Sequence, residues 1–177
     1  IGGAPDKILY VAEGFATAAT VHEATGSAVA VAFNANNLKP VAIALRAKFP
    51  NLEIVICADD DHITDRNPGI TKAREAALEV KASIAVPDFG ETRGKDETDF
   101  NDLYQVKGLK AVRTCVELNR MTVDEFGKDT DLAVLAELAG NWEAEPEPVI
   151  PQKKPSQPFP LESFPLIIRE AVTETLE

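Results

Sequence analysis

Short apolar runs alternate with helical stretches through the first half of the chain, and this alternation limits the fold more than any other feature. The apolar runs end near residues 12, 33, 58 and 86. Between them, apolar residues recur at spacings of three and four, which is typical of amphipathic helices. Strands that alternate with helices of this length predict βαβ units and a parallel sheet. We therefore expect an α/β fold.

The same patterns place the individual elements. The predicted strands span residues 7–12, 28–33, 53–58 and 83–86, and the predicted helices span 14–24, 37–48, 69–80, 99–106 and 109–118. A further short helix is predicted over 131–139, with Gly140 as its stop. The run 54–58 is continuously apolar, which is typical of a strand covered on both faces.

The composition changes near residue 143. Seven of the twelve prolines fall between Pro146 and Pro165, interleaved with Glu and Lys, which predicts an extended linker. We expect a catalytic domain over 1–119, a helical extension over 120–142, this linker over 143–165, and the start of a truncated following domain over 166–177. The chain begins with Ile1, and we expect it to be a piece of a longer protein.

Charge and cysteine content narrow the class of protein. Hydrophobic residues make up 45% of the 177 residues and charged residues 27%, the balance of a soluble globular protein, and no apolar run approaches a membrane span. Cys57 and Cys115 form no metal or disulfide pattern and predict buried side chains in a reducing, cytoplasmic setting. The net charge of -11 is the opposite of a self-sufficient DNA-binding module. Either the domain does not touch nucleic acid, or it meets only reacting phosphates through metal.

Acidic residues follow two of the predicted strands. The first strand runs into Glu13-Gly14 and the third runs into residues 59–61. Parallel strands present their carboxyl ends at one sheet edge, where ligands bind in open α/β folds. Residues two apart in an extended segment point to the same side, so Asp59 and Asp61 can aim at one point while Asp60 turns away. If the two strands are neighbours, Glu13 faces that point across about 5 Å.

Three converging carboxylates repel one another unless a cation lies between them. Oxygen-only ligands favour a hard cation such as Mg²⁺. The alternative is a solvated acidic turn with Glu13 as a loop residue. The turn at residues 67–69 precedes a predicted helix whose N-terminus could receive phosphate, although a plain Pro-Gly turn explains it equally well.

With these residues placed, the chain resembles the Toprim domain of phage- and plasmid-type, TraC-like DNA primases. The family has a strand-end glutamate followed by glycine, matched by Glu13-Gly14, and a later Asp-x-Asp, matched by residues 59–61. The subgroup resemblance adds four blocks in order, at residues 13–26, 31–38, 67–69 and 99–103. Residues 158–169 resemble, over a shorter stretch, the opening of a helicase-like replication domain.

The resemblance implies a Toprim, Rossmann-like parallel sheet flanked by helices, with template-directed synthesis of RNA primers on single-stranded DNA. Asp59 and Asp61 would bind Mg²⁺, with Mn²⁺ able to substitute, against the phosphates of incoming NTPs. Glu13 would bind metal or act as the general base. A replicative helicase domain is expected in the same full-length chain, and no membrane partner is expected.

Six further residues are candidates near this edge. Asp99, Asn101 and Asp102 would supply additional metal ligands or support the first ones, while a helix cap explains the aspartates equally well. Arg66, Lys72 and Lys95 are candidate phosphate contacts, with ordinary solvated charges as the alternative.

Two other functions stay open. A Toprim nuclease or a topoisomerase-like enzyme would use the same triad for phosphodiester cleavage, and the topoisomerase would need a tyrosine nucleophile. A non-catalytic module that recruits replication partners would use the acidic surface for docking and would bind no Mg²⁺.

Overall fold

The protein is built around four strands, seen in a computed structural model that describes residues 1–91, 93–122 and 125. In chain order the elements are β1 (Ile8–Ala12), α1 (Phe15–Thr25), β2 (Ala28–Val31), a 3-10 turn (Ala35–Asn37), α2 (Leu38–Lys48), β3 (Glu53–Cys57), α3 (Pro68–Val80), β4 (Ser83–Ala85), α4 (Phe100–Lys107) and α5 (Leu109–Glu117).

All strand pairs in the sheet are parallel, and the spatial order is β2-β1-β3-β4. The chain moves outward from β1 to β2 and then returns past β1 to form β3 on its other side. The order of connection therefore reverses between β1 and β3. In open parallel sheets, ligands bind outside the carboxyl ends of the strands at such a reversal.

One face of the sheet is covered by α1, α4 and α5. Tyr10 and Ala12 of β1 point into this layer, together with Val55 and Cys57 of β3. Successive strand residues alternate between faces, so this spacing of two gives the layer its own core. The helices contribute buried apolar side chains, among them Ala18, Val21, Phe100, Leu103, Val112 and Val116.

The opposite face is covered by α2 and α3. Val11 of β1 and Ile54 and Ile56 of β3 point into this second layer. The helical side is rich in alanine, with Ala42 of α2 and Ala73, Ala76 and Ala77 of α3 fully buried. These small side chains allow the helix backbones to approach the sheet and each other closely.

The outer edge of β4 is closed by the segment that follows α5. Ile84 and Met121 form an antiparallel bridge in which each backbone N–H donates to the other residue's carbonyl, at 3.0 and 2.8 Å. Arg120 forms an ion pair with Glu53, 2.6 Å apart, which ties this segment to the start of β3. An edge strand covered in this way exposes fewer unpaired backbone groups.

The predicted α/β class and parallel sheet are confirmed, and every predicted element up to residue 118 is present within two residues of its predicted bounds. The largest difference is β2, which ends at Val31 rather than 33 because Phe33 adopts a positive φ of 66°. Both cysteines are buried and free, as expected. The predicted helix over 131–139, the linker over 143–165 and the following domain over 166–177 lie outside the described residues.

Within the described residues, no helix combines the length and the apolarity that crossing a membrane requires.

Replacement of Ile56 by alanine tests the two-layer core. Ile56 lies fully buried at the centre of β3, and removing its side chain should lower the free energy of unfolding by about 2–5 kcal/mol. Ile43→Ala on α2, where the side chain is 44% exposed, is the matched control and should change stability far less. Urea unfolding of the two variants measures the difference. Equal losses would contradict the assignment of Ile56 to the core.

Candidate functional site

The acidic residues of the site follow the two strands between which the connection reverses. Glu13 comes directly after β1, and Asp59 comes two residues after the end of β3. The register pairs Ala12 with Cys57, which brings the ends of the two strands side by side. Glu13 and Asp59 therefore lie at the switch point of the sheet, as the sequence predicted if these strands were neighbours.

Asp59 is a largely buried carboxylate in a negative environment. Burial raises the pKa of Asp59, the charges of four other carboxylates add to the rise, and together they bring it to about 8; the four are Glu13, Asp99, Asp61 and Asp102. Its Oδ1 atom is buried and has no hydrogen-bond partner among the described residues. A buried carboxylate oxygen without a partner is costly, so this atom needs either a proton or a cation.

Glu13 and Asp61 interact electrostatically across the same edge. Burial raises the pKa of Glu13, the Asp61 charge raises it further, and a backbone hydrogen bond from Ala35 partly offsets the rise. Asp61 has a fixed orientation, because its Oδ2 accepts from the backbone N–H of Gly69 at 3.0 Å. The three acids predicted as the triad are thus electrostatically coupled.

Asp60 points away from the triad and is held by Arg93. The two side chains form an ion pair in which both are mostly buried, 16% and 17% exposed. The guanidinium also donates to the Asp60 carbonyl at 2.7 Å and to the Glu97 carbonyl, and it stacks 4.8 Å from the centre of the Phe89 ring. Asp60 is therefore neutralised and fixed, in agreement with its predicted exclusion from the triad.

Sequence reasoning missed Arg93. It lies in an irregular loop without periodicity, 33 residues from its partner along the chain. One feature of the sequence could have indicated such a residue. An aspartate that points away from its two acidic neighbours at a buried sheet edge needs a positively charged partner. Arg93 is one of few basic residues between β4 and α4 that could provide it.

The turn at residues 67–69 braces the acidic segment. Asn67 has a left-handed backbone with a φ of 44°, its Oδ1 accepts from the Asp61 N–H at 2.9 Å, and its amide donates to the Asp60 carboxylate. A Cβ added at Gly69 would lie only 2.3 Å from the Asp59 carbonyl oxygen, so only glycine fits there. The Gly69 and Ile70 N–H groups at this helix start are already occupied by Asp61 and Asn67.

Asp99, Asn101 and Asp102 are joined to the site through hydrogen bonds. Asp99 and Asp102 form a reciprocal capping box at the start of α4, and the Asp99 carboxylate also accepts from the Thr17 hydroxyl at 2.7 Å. The Asn101 amide oxygen accepts from Thr20 at 3.2 Å. The bonds from Thr17 and Thr20 connect α4 to α1. The charges of Asp99 and Asp102 also raise the pKa of Asp59.

The three predicted phosphate contacts lie on the surface. Lys72 pairs with Glu75 at 3.0 Å on α3, and Arg66 lies 3.9 Å from Asp65 with both side chains almost fully exposed. Lys95 is exposed in the loop before α4. The structure brings none of them into contact with Glu13, Asp59 or Asp61 in the hydrogen bonds and ion pairs of the described residues.

The donor set fits a hard divalent cation that keeps several waters. Every candidate ligand is a carboxylate or amide oxygen, and the unpartnered Asp59 Oδ1 is one that a cation would satisfy. Within the described part of the chain, no group of three or more His, Cys, Asp or Glu side chains is placed to hold a metal ion. A cation at Asp59 would therefore depend on water and substrate phosphate for most of its coordination positions.

A parallel sheet with helices on both faces and coupled carboxylates at its switch point defines an α/β domain with an acidic site at the carboxyl edge of its sheet. The particular family is also shown: residues 8–110 match the family model described as Toprim domain, and the chain belongs to that family. Toprim domains generally bind a divalent metal ion.

Two curated relatives extend the comparison, both described as DNA primase TraC from Escherichia coli. Over 85 residues, which is 46% of this chain, the identity is 52% to one and 46% to the other. The aligned segment covers only 8% and 6% of the lengths of those two proteins. No solved structure matches the chain.

The pH dependence of stability tests the burial of Asp59. Its pKa is about 8 in the folded protein and about 3.9 when unfolded, so between these values the folded state binds more protons. The free energy of unfolding, measured with urea in EDTA, should therefore fall as pH rises from 5 to 8. Asp59→Asn should remove most of this fall, with the raised pKa of Glu13 giving the remainder, while Asp65→Asn, at an exposed side chain, should keep all of it. Parallel curves for all three proteins would contradict the assignment.

Replacement of Arg93 by methionine tests the Asp60 ion pair. The change leaves a mostly buried carboxylate without its cation and should lower the free energy of unfolding by about 1.5–3 kcal/mol. It should also weaken Mg²⁺ binding, because residues 59–61 lose their anchor. Arg113→Met removes a surface arginine that pairs with Glu117 and should leave both properties unchanged. Urea unfolding and calorimetric Mg²⁺ titration measure the two effects, and wild-type values for Arg93→Met would contradict the anchoring role.

Proposed function

We propose that the chain contains the catalytic domain of a DNA primase, which performs Mg²⁺-dependent nucleotidyl transfer to make RNA primers on single-stranded DNA. The observation that carries this proposal is the buried, unpartnered Asp59 Oδ1 within a set of coupled carboxylates at the sheet's switch point. The Toprim family and the two relatives described as DNA primase support it. Mn²⁺ should substitute for Mg²⁺, because both accept oxygen ligands.

In this proposal Asp59 and Asp61 hold the cation from neighbouring positions on one segment. Asp59 contributes an oxygen that nothing else satisfies, and Asp61 is oriented by the Gly69 N–H. A cation held there would supply positive charge against the phosphates of the incoming NTP. Asp60 does not compete for it, because Arg93 already compensates its charge.

Glu13 lies on the other strand and has either of two roles. Its raised pKa makes it a stronger base than an ordinary glutamate, which suits a general base that accepts the proton of the attacking 3′-hydroxyl. Its carboxylate is equally suited to complete the cation site from the side opposite Asp59. The backbone hydrogen bond from Ala35 favours the ionised form of Glu13 in both cases.

The negative charge of the chain limits how it can bind nucleic acid. With a net charge of -11, this chain contacts nucleic acid only through a metal ion and the phosphates that the ion binds. Other parts of the full-length protein provide most of the affinity for template DNA. We place a replicative helicase domain among those parts. The proposed setting is plasmid or prophage replication in the cytoplasm.

The structure gives a topoisomerase reaction no suitable nucleophile. The chain has two tyrosines. Tyr10 is buried inside β1, where burial raises its pKa to about 12, and Tyr104 packs against the same core from α4. Neither lies beside Glu13 and Asp59, so strand cleavage through a phosphotyrosine would need a residue from elsewhere.

Primer synthesis by the full-length parent protein tests the proposal. Asp59→Asn combined with Asp61→Asn should lower Mg²⁺-dependent incorporation of NTPs by at least about 100-fold, because both oxygen ligands are lost. Asp65→Asn, four residues further along at an exposed position, is the matched control and should retain activity. Incorporation of labelled NTP on single-stranded DNA is the measurement.

Three outcomes would contradict the proposal. Normal primer synthesis by the double variant would remove Asp59 and Asp61 from the reaction. Metal-dependent nicking of DNA without NTPs, with no primer formed, would indicate a nuclease. Absence of Mg²⁺ or Mn²⁺ binding in the millimolar range, with function unchanged in Glu13→Gln, would indicate a non-catalytic interaction module.

A further inference from the structure

Exposed apolar side chains are concentrated beside the acidic residues. Among the described residues, four large hydrophobic side chains are 64% or more exposed, and three of them lie at the carboxyl edge of the sheet. Phe15 comes two residues after Glu13, Phe33 comes two residues after the end of β2, and Ile63 comes two residues after Asp61. The fourth, Leu118, lies at the end of α5. We call Phe15, Phe33 and Ile63 the edge apolar row.

Phe33 is held in this position against its backbone preference. Its φ of 66° lies in the left-handed region, which is a genuine outlier for a bulky aromatic residue. Its N–H donates to the backbone carbonyl of Glu13 at 2.8 Å. Residues kept in such strained conformations by their surroundings cluster at ligand sites.

The turn around Phe33 is fixed by side-chain hydrogen bonds. The Asn37 amide donates to the Ala32 carbonyl at 2.9 Å, and the Asn34 side chain accepts from the Asn37 N–H at 3.1 Å. The ring, 77% exposed, is therefore presented outward by an ordered turn whose backbone is bonded to Glu13. Phe15 follows the end of β1, the strand paired with β2, so both rings come from neighbouring strand ends.

We propose that Phe33 and Phe15 form a stacking surface for the base of the nucleoside triphosphate whose phosphates lie at the acidic residues. This inference rests on the proposed function and assigns two substrate-binding residues to it. Nucleobases stack on aromatic side chains regardless of sequence, because every base has a π-face. Ile63 supplies an apolar contact at the other end of the edge apolar row.

Charge favours a nucleotide over a length of DNA strand as the occupant. A strand needs a track of cations for its backbone phosphates, whereas this chain carries 29 acidic and 18 basic residues. Arg66 and Lys72, near this edge, are each next to an acidic partner. A single nucleotide needs only a cation at Asp59 and a flat surface for its base nearby, and the backbone bond from Phe33 to Glu13 ties that residue to the same sheet edge.

The experiment compares ligands with and without a base on the 177-residue chain. Binding of ATP and of inorganic triphosphate is measured by calorimetry in Mg²⁺ for the wild type, Phe33→Leu, Phe33→Trp and the equally exposed control Leu118→Ala. Phe33→Leu should weaken ATP binding on the order of 5- to 100-fold, the range that loss of one base stack gives. Phe33→Leu should bind triphosphate as tightly as the wild type does. Phe33→Trp, which keeps an aromatic ring, should bind ATP like the wild type, and so should Leu118→Ala.

The outcomes separate this inference from the proposed function. Equal ATP binding by Phe33→Leu and the wild type would overturn the stacking role, as would a matched loss of triphosphate binding, which would indicate a disturbed Glu13. Loss of binding to a single-stranded oligonucleotide, with ATP binding retained, would assign the rings to DNA instead. Failure of the wild type to bind triphosphate in Mg²⁺, or normal triphosphate binding by Asp59→Asn, would count against the metal site and the proposed function.

Discussion

Four carboxylates surround Asp59 at the switch point of the sheet, and their mutual repulsion is the constraint that the neighbouring structure satisfies. Each of the others has a specific partner. Asp61 accepts from the Gly69 N–H, and Asp99 and Asp102 cap α4, while Ala35 donates to Glu13. Arg93 compensates the adjacent Asp60. Among the described residues, Asp59 Oδ1 is the one buried carboxylate oxygen without a hydrogen-bond partner, so the need for a proton or a cation falls on this atom.

Local backbone geometry holds residues 59–61 in place against the repulsion between their carboxylates. The left-handed Asn67 turns the chain so that its side chain bonds both Asp60 and Asp61, and the absence of a Cβ at Gly69 lets α3 begin against the Asp59 carbonyl. The helix N-terminus thereby orients a carboxylate and does not receive phosphate directly. This rigid support keeps the carboxylates close together in the folded protein. The cost of placing Asp59 there is seen as a raised pKa of its carboxyl group.

The fold and the positions of the strand-end acids could be predicted from the sequence, because both depend on local patterns, while the role of these acids as metal ligands stays a prediction. Alternating apolar runs predicted each strand, and strand-end acids predicted where Glu13 and Asp59 meet. The sequence was not sufficient for Arg93, whose contact with Asp60 spans 33 residues through an irregular loop, or for Phe33, whose positive φ contradicts its residue type. The helical pattern at residues 67–69 also left open whether its N–H groups were free, because only the three-dimensional path of residues 59–61 brings the Asp61 carboxylate to them.

The most direct test of the central claim, that this edge holds a divalent cation, is a crystal structure of the chain with Mn²⁺, using anomalous scattering to locate the metal. The account predicts an anomalous peak within bonding distance of Asp59 Oδ1, shared with Asp61 or Glu13 and lost in Asp59→Asn, with Asp60 still bound to Arg93. A structure that showed no peak at this edge at millimolar Mn²⁺, or a peak held by Asp60 while Asp59 remained without a partner, would contradict it.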